Sequence, residues 1–299
     1  MIDQTIISKN LNNDKISQSP KVSKLTKRVI SKGFNLVCVF LLLVVVLWPA
    51  YWMFVTSLKP NTEILALPPT LIPLKPTLDS YTTLFKTGFL RYIFNSTIVA
   101  GITVVVSTIF GTLAGYSLSR FKYPGKKYIG RLILFSYLFP GVLLMVPMYV
   151  LASRLNMLDN LFVLPIIYVT FTAPFYSWLL KAFFDKMPEH IEDAAMIDGA
   201  THWQIIWKII IPLSAPGVAG AALWTFIMSW QEYMFATILL SSDANLTLPV
   251  YLARLLANQQ RFNWGILNAG AVISILPVLI LFVFLGRSFV SGLTAGSNK

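Results

Sequence analysis

Residues Pro188–Gly217 read PEHIEDAAMIDGATHWQIIWKIIIPLSAPG, a polar stretch set between long apolar runs. Glu189, Glu192, Asp193 and Asp198 stand close together in a chain that holds only 12 acids among its 299 residues. Pro188 fits the first turn of a short helix, and the acids that follow complement the positive end of its macrodipole. Ala194 and Ala195 make one face small enough for another protein to approach closely. Gly199 supplies a stop and a sharp turn. Thr201 and Gln204 have capping-box spacing, so a second helix is expected to start there and run until Pro212 interrupts it. The stretch predicts a helix–turn–helix projecting from a membrane, with no residues arranged for chemistry.

Composition places that segment in its surroundings. The chain is 56% hydrophobic and 12% charged, with a mean hydropathy of +0.68. Soluble domains carry about twice that charged fraction. Six apolar runs reach the length that crosses hydrocarbon as helix, near Phe34–Ser57, Tyr92–Ser119, Tyr128–Ala152, Leu161–Phe184, Pro216–Leu240 and Ala269–Phe289. Pro49, Pro140, Pro147, Pro165, Pro174 and Pro277 inside them predict kinks, which neighbouring helices and water tolerate. The strand alternation of a membrane barrel is absent. The expected fold is an all-α membrane protein of six transmembrane helices with a cytoplasmic loop over 185–213.

The net charge of +12 follows membrane topology rather than nucleic-acid binding. Lys9, Lys15, Lys21, Lys24, Lys27, Arg28 and Lys32 crowd the N-terminal 33 residues, a basic polar tail expected to be mobile. Arg120, Lys122, Lys126, Lys127 and Arg131 follow the second run with no acid among them. The loops assigned outside hold fewer cations per length: Arg154 after the third run, then Arg254 and Arg261 after the fifth. Lys59, Lys75, Lys86 and Arg91 fit this scheme least well. Both termini, and the loop around Asp193, are then expected in the cytoplasm. The first apolar run is too long for a signal-peptide core and should remain uncleaved. Cys38 is the single cysteine, so no intramolecular disulfide exists, and a small hydrophobe in the first span is its expected role.

Two external segments are expected. Residues 58–91 carry Pro60, Pro68, Pro69, Pro73 and Pro76, which disfavour helix and predict a stiff strap. Ser241–Asn268 mixes Leu248, Tyr251, Leu252, Leu255 and Trp264 with Arg254, Gln259, Gln260 and Arg261; it fits either a partner contact or pore mouth, or a lid folded back on the bundle.

The loop resembles the EAA loop of the permease subunits of binding-protein-dependent ABC importers. Asp193-Ala194-Ala195 stands where the family has Glu-Ala-Ala, followed by three residues and Gly199. Nine residues later come Ile209, Ile210, Ile211 and Pro212, against the family's Ile-x-Leu-Pro. Asp193 keeps the charge with one methylene less reach, and Ile211 for Leu is nearly neutral in volume. Asp198-Gly199-Ala200 matches the carbohydrate-uptake branch, and Trp178–Phe184 leads into the loop much as in sugar permeases. Trp230-Gln231-Glu232-Tyr233 is similar to the family's Trp-Asn-Glu-Phe segment. Gly292-Leu293-Thr294-Ala295-Gly296 resembles the C-terminus of the maltose-type permease.

The resemblance spans about Phe34 to Gly296. It implies a permease core over 92–290, a cytoplasmic tail over 291–299 and a bacterial or archaeal cell-membrane location. It implies sugar or oligosaccharide import, an ABC ATPase dimer docked on the loop, a second homologous permease and an external solute-binding protein. Asp193 would contribute a charge contact, Ala194 and Ala195 close packing, Gly199 the turn and Pro212 the helix end. Gly292–Gly296 would be a second ATPase contact. No cofactor is expected on this chain: no Gly-x-x-x-x-Gly-Lys-Ser/Thr loop is present, so ATP and Mg belong to the partner ATPase. His190 and His202 form no zinc motif, and no catalytic constellation is evident.

Glu232 is the acid read inside a span. An unpaired carboxylate there costs about 2.5–3.5 kcal/mol, so it must face the bundle interior, water or a partner. Trp230, Gln231, Glu232 and Tyr233 either border a sugar path, where rings stack and polar groups bond hydroxyls, or Glu232 caps a kinked helix or pairs across a subunit interface. A secondary transporter, an importer of a non-sugar solute such as a glycerol phosphate, and a polytopic enzyme are the other readings. The first would show several intramembrane ionisable groups and paired broken helices, neither of which is evident.

Overall fold

The computed structural model describes the backbone of residues 20–257 and 263–294, and the side chains of 35–257 and 263–286. It divides into two units, residues 1–55 and residues 56–299. The first unit is most of helix α1 (Pro20–Ser57), whose apolar run Asn35–Ser57 has a mean hydropathy of 2.5. Pro49 lies within this helix without ending it.

The second unit opens with α2 (Asn61–Ile64) and α3 (Asp79–Lys86), two short helices in the strap expected to lack helix. The prolines of the strap stay outside both, and an extended stretch links them. Glu63 fixes that stretch by accepting from Thr70 Oγ1 at 2.6 Å and from the Leu74 amide at 3.0 Å.

At the centre, α4 (Phe89–Arg120) packs along α7 (Val163–Phe184). Their contact is close because α4 presents glycine: a Cβ on Gly115 would lie 2.8 Å from the Ser177 carbonyl oxygen. Where polar groups meet in this interface they pair, as Ser107 and Thr172 do at 2.7 Å between hydroxyls. Helices α10 (Ala215–Trp230) and α13 (Trp264–Thr294) complete the bundle. Two apolar clusters result. One gathers around Leu84, Phe89, Leu164 and Leu246, the other around Tyr116, Tyr176, Phe184 and Ile205 at the opposite end of α4.

Two expected spans are broken. The third is α5 (Lys126–Leu138), a 3-10 turn Gly141–Leu144 and α6 (Met145–Arg154), bent by 89° at Pro140. The proline lacks a donor and forces Phe139 into extended backbone, so a full break replaces the expected kink. The fifth ends at Trp230, short of the expected Leu240; Gln231–Tyr233 interrupt it before α11 (Met234–Leu239). Four helices among the described residues are long and apolar enough to cross a membrane, or six if each bent helix pair counts as one span.

The segment after α11, expected outside, folds back on the bundle. Its helix α12 (Leu248–Ala257) buries Leu248, Val250 and Tyr251, and Tyr251 stacks on Tyr92 with centroids 4.0 Å apart. That is the lid arrangement of the two expected; Gln259, Gln260 and Arg261 lie outside the described residues.

Candidate functional site

Beyond Phe184 the chain leaves the bundle and forms two short helices, α8 (His190–Ile197) and α9 (His202–Leu213). The turn between them is a Schellman closure. Gly199 adopts φ 83°, the Ala200 amide reaches back to the Ala195 carbonyl at 3.0 Å, and the Gly199 amide to that of Met196 at 3.0 Å. No atom lies within 4 Å of where a Gly199 Cβ would stand, so glycine is needed for its backbone angle and not for space.

Thr201 then starts α9 with both bonds of a capping box. Its Oγ1 accepts from the Gln204 amide at 3.3 Å, while Gln204 Oε1 accepts from the Thr201 amide at 2.9 Å. Pro212 lies inside the last turn of α9, one step further than a terminator would. A proline ring collides with the carbonyl four residues earlier, here Lys208, unless the helix widens. It does so: Ile206–Ile210 form a π turn, and the Ile211 amide bonds to the Ile206 carbonyl. Ser214 then closes the helix by donating its buried hydroxyl to the Ile210 carbonyl at 2.7 Å, and α10 departs at 82°.

This pair of helices is fixed to the bundle by a buried ionic contact that the motif spacing does not mark. The Glu192 carboxylate accepts from Arg120 Nε at 2.5 Å and from the Tyr116 hydroxyl at 2.6 Å. The Glu192 and Arg120 side chains are 7% and 8% exposed. Arg120 also donates to the Met187 carbonyl at 3.0 Å, so the last residue of α4 grips both the approach to α8 and α8 itself. Alongside, Asp185 accepts from Ser119 at 2.7 Å and pairs with Lys181 at 2.5 Å. Desolvation pushes the Asp185 carboxyl up, but Lys181 and Ser119 together hold it below its ordinary value.

The apolar residues divide into two faces. Ala195, Ile205, Ile206 and Ile210 are buried against Tyr116, Leu180 and Phe184, with Ala200, Ile209 and Ile211 packed partly onto the same cluster. Met196, Trp203 and Trp207 turn outward at 43, 58 and 38% exposure, and Ile197 at 87%. Asp193, Ala194, Asp198, Gly199 and Pro212 share that exposed side. Trp203 and Trp207, one helical turn apart, meet edge to face at 5.8 Å. Within Asp193-Ala194-Ala195, therefore, two residues face out and the third faces the core.

Glu232 lies at the other break and behaves differently. Its carboxylate accepts from the Phe235 amide at 2.8 Å and the Ala236 amide at 3.2 Å, capping α11, and from the Tyr168 hydroxyl. Trp230 is buried, stacked on Phe226, and its indole N–H donates to the Ser274 carbonyl at 3.0 Å. Gln231 and Tyr233 are exposed. Glu232 borders a cavity of about 240 Å³ with Tyr168, Phe171, Thr172 and Ser229. Gly292, Leu293 and Thr294 continue the backbone of α13, while Ala295 and Gly296 lie outside the described residues. Among the described residues no group of His, Cys, Asp and Glu is placed to hold a metal.

Tyr116, Arg120 and Glu192, and the outward set Met196, Ile197, Trp203 and Trp207, are absent from the sequence-predicted site. Glu192 is one residue, a rotation of about 100°, from Asp193 on the helix, which is why one faces in and the other out. Arg120 closing an apolar run with no acid nearby was the available signal for its distant partner.

Comparison with known proteins bears on this arrangement. Residues 107–293 match the family described as binding-protein-dependent transport system inner membrane component. The chain is 37% identical over 276 residues to the inner membrane ABC transporter permease protein YcjP of Escherichia coli (strain K12), covering 91% of this chain and 98% of that one. It is 38% identical over 224 residues to the maltodextrin transport system permease protein MdxG of Bacillus subtilis (strain 168), covering 75% of this chain and 81% of that one. Its fold is similar to a crystallised bacterial ABC transporter involved in the import of the acidic polysaccharide alginate, with a TM-score of 0.76, 26% identity, and 88% of this chain and 98% of that chain covered. The helical bundle of the described residues and the family match over most of the chain agree: this protein is an ABC importer permease, a member of the binding-protein-dependent transport system inner membrane components.

Proposed function

We propose that this permease imports a sugar or oligosaccharide, and that α8 and α9 carry the stroke of a separate ATPase dimer into the membrane. The observation that carries the docking reading is an apolar face with nowhere to go. Ile197, at 87% exposure, and Met196, Trp203 and Trp207 stand outward on helices locked to α4 through Arg120 and Glu192. Burying one such side chain contributes about 1.5–3 kcal/mol, so the face is costly to leave in water and suited to a socket on another protein. Asp193 supplies a charge contact at its edge, Ala194 close approach, and Gly199 the turn. Ala195 packs inward, and Pro212 sets the π turn that aims α9. Closure of the ATPase dimer would move α8, α9 and the attached ends of α4 and α7 as one body, alternating access across the membrane.

ATP and Mg are bound by that partner. A second, homologous but different permease completes the path, and an external binding protein delivers solute. Both termini, and the loop, face the cytoplasm, in line with the basic residues at 120–131. The segment Gly292–Gly296 adds a second contact with the ATPase. Sugar as substrate is supported by the names of the maltodextrin and alginate relatives. Within this chain the exposed Gln231 and Tyr233 offer an amide and a ring to a passing glycan, with Glu232 holding the break that presents them.

The decisive test is Ile197→Asp in the complete transporter, purified in gentle detergent. The variant should fold and insert normally, because its site is open, yet lose the co-purifying ATPase and solute-stimulated ATP hydrolysis. Full retention of both would remove the docking model. Calorimetry of the co-purified binding protein against a glycan panel tests the substrate; binding of a glycerol phosphate but of no sugar would overturn that part alone.

A further inference from the structure

A cavity of about 640 Å³ lies away from both the loop and the Glu232 break. It is a groove between the end of α4, the start of α5 and the last turns of α7, bordered by Leu118, Ser119, Trp178 and Lys181. On α5 its wall is Lys127, Gly130, Arg131 and Leu134, one stripe at helical spacing. There is open space at Gly130: a Cβ there would touch only Leu118, at 3.8 Å.

The groove has two chemically distinct ends. At one, Lys126, Lys127, Arg131 and Lys181 line it with no acid among the lining residues. Lys181 is balanced by Asp185, and Lys126 donates to the Ser119 carbonyl at 3.1 Å. Lys127 and Arg131 have no acidic partner among the described residues. Nor do the lysines serve helix stability: cations in the first turn of α5 oppose its macrodipole, and that turn contains no acid. At the other end Ile133, Leu134 and Trp178 form an apolar wall, with Trp178 49% exposed. Tyr123 and Tyr128 line it as well. Cations beside aromatic rings above an apolar cleft match the layering of a phospholipid, phosphate outermost and acyl chain inward.

We propose that this groove binds an anionic phospholipid of the inner leaflet. The phosphate lies between Lys127 and Arg131, and one acyl chain runs along Leu134 and Trp178. The site rests on the orientation given above, which puts this end of α4 at the cytoplasmic surface. Because the groove joins α4 and α7 next to the Lys181–Asp185 pair, an occupied site would brace the root of the loop.

The test uses the complete transporter, exchanged into micelles holding equal phosphatidylglycerol and phosphatidylcholine, with retained lipid read by native mass spectrometry. The wild type should keep phosphatidylglycerol in preference. Lys127→Gln with Arg131→Gln should lower that retention about tenfold. Gly130→Leu, which fills the groove without changing charge, should lower it as well. Equal retention by wild type and both variants, or no preference between the lipids, overturns the proposal. Displacement by excess inorganic phosphate would reduce the site to a simple anion site and also overturn it. A photo-crosslinker on Leu134→Cys, in a Cys38→Ser background, should capture lipid; capture of the second permease would show a subunit contact instead. Co-purification of the ATPase, read in the same samples, reports the docking reading independently. Labelling of Lys122→Cys by a membrane-impermeant maleimide in intact cells reports the orientation: protection is expected, and labelling from outside would sink it.

Discussion

The break at Gln231–Tyr233 and the break at Asp198–Thr201 both redirect a helix, yet they treat their side chains in opposite ways. At the first, the carboxylate of Glu232 turns inward and is fully used by Tyr168 and two amides of α11. At the second, the equivalent inward work is done by Glu192 on Arg120 and Tyr116, and the turn leaves Ile197 and two tryptophans outside. At the first break the acid is satisfied within the chain, although Gln231 and Tyr233 beside it stay exposed. The other is complete on its inner face and unfinished on its outer face. The difference separates a polar residue that builds the fold from apolar residues left on the surface, and burial is what tells the two apart.

The strongest way to break this contrast is at the inner face of the loop. Arg120→Ala leaves Glu192 charged and buried without its partner, which should cost about 3–5 kcal/mol and lower the thermal midpoint of the detergent-purified chain markedly. Replacing both residues by Met should recover most of that loss. An Arg120→Ala protein as stable as wild type would mean that the ion pair does not anchor the loop.

Glu232→Gln is the matching test at the other break. The amide offers one acceptor oxygen where three donors converge, so about 1–3 kcal/mol should be lost, seen as earlier unfolding and faster amide exchange at Phe235 and Ala236. If stability is unchanged while sugar uptake falls, Glu232 belongs to the solute path and the contrast must be redrawn.

Gly199→Ala should cost about 1–2 kcal/mol through its positive φ alone, and Gly199→Asn less, because asparagine tolerates that region. Gly199→Asp, bulkier and charged at the proposed docking turn, should insert normally but abolish transport and solute-stimulated ATP hydrolysis. Normal transport by that variant would contradict docking through this turn.

The smallest expected effect is one of pH at the turn between α6 and α7. The amides of Ser242 and Ser241 hold the Asp159 carboxyl at about 2, below its ordinary 3.8. A lowered folded value contributes stability above the ordinary value and loses it as pH falls toward about 2. Exchange protection at Ser241 and Ser242, corrected for intrinsic rate, should therefore hold down to 3.8 and fade below it. Loss of protection at mild acidity would assign the anchor to another group.

How much of this was legible in the sequence depended on whether the cause was local. Thr201 and Gln204 announce a helix start because both bonds of the box lie within four residues, and Gly199 announces a turn by its own backbone freedom. Pro212 announced an interruption, but the helix absorbed it in a π turn upstream, since widening at Ile206–Ile210 keeps Ile210 in the core. The break at Gln231–Tyr233 carries no glycine or proline; Glu232 holds it by capping the next helix locally and by a contact with Tyr168 on another helix, 64 residues away. The first of these is local enough to read in the sequence and the second is not. Glu192 was hidden for the same reason: its partner Arg120 is 72 residues earlier. Among four neighbouring acids, only the three-dimensional packing says which one goes inside.

That buried pair has a mechanical consequence. Glu192 is gripped by two groups of α4 at once, the Arg120 guanidinium and the Tyr116 hydroxyl, and the contact is closed off from solvent. A push on α8 therefore meets almost no slack before it reaches α4, and through the close seam at Gly115 it reaches α7 as well. A linkage without backlash passes on small displacements as faithfully as large ones, so even a modest closing stroke at Ile197 would register at the far side of the bundle.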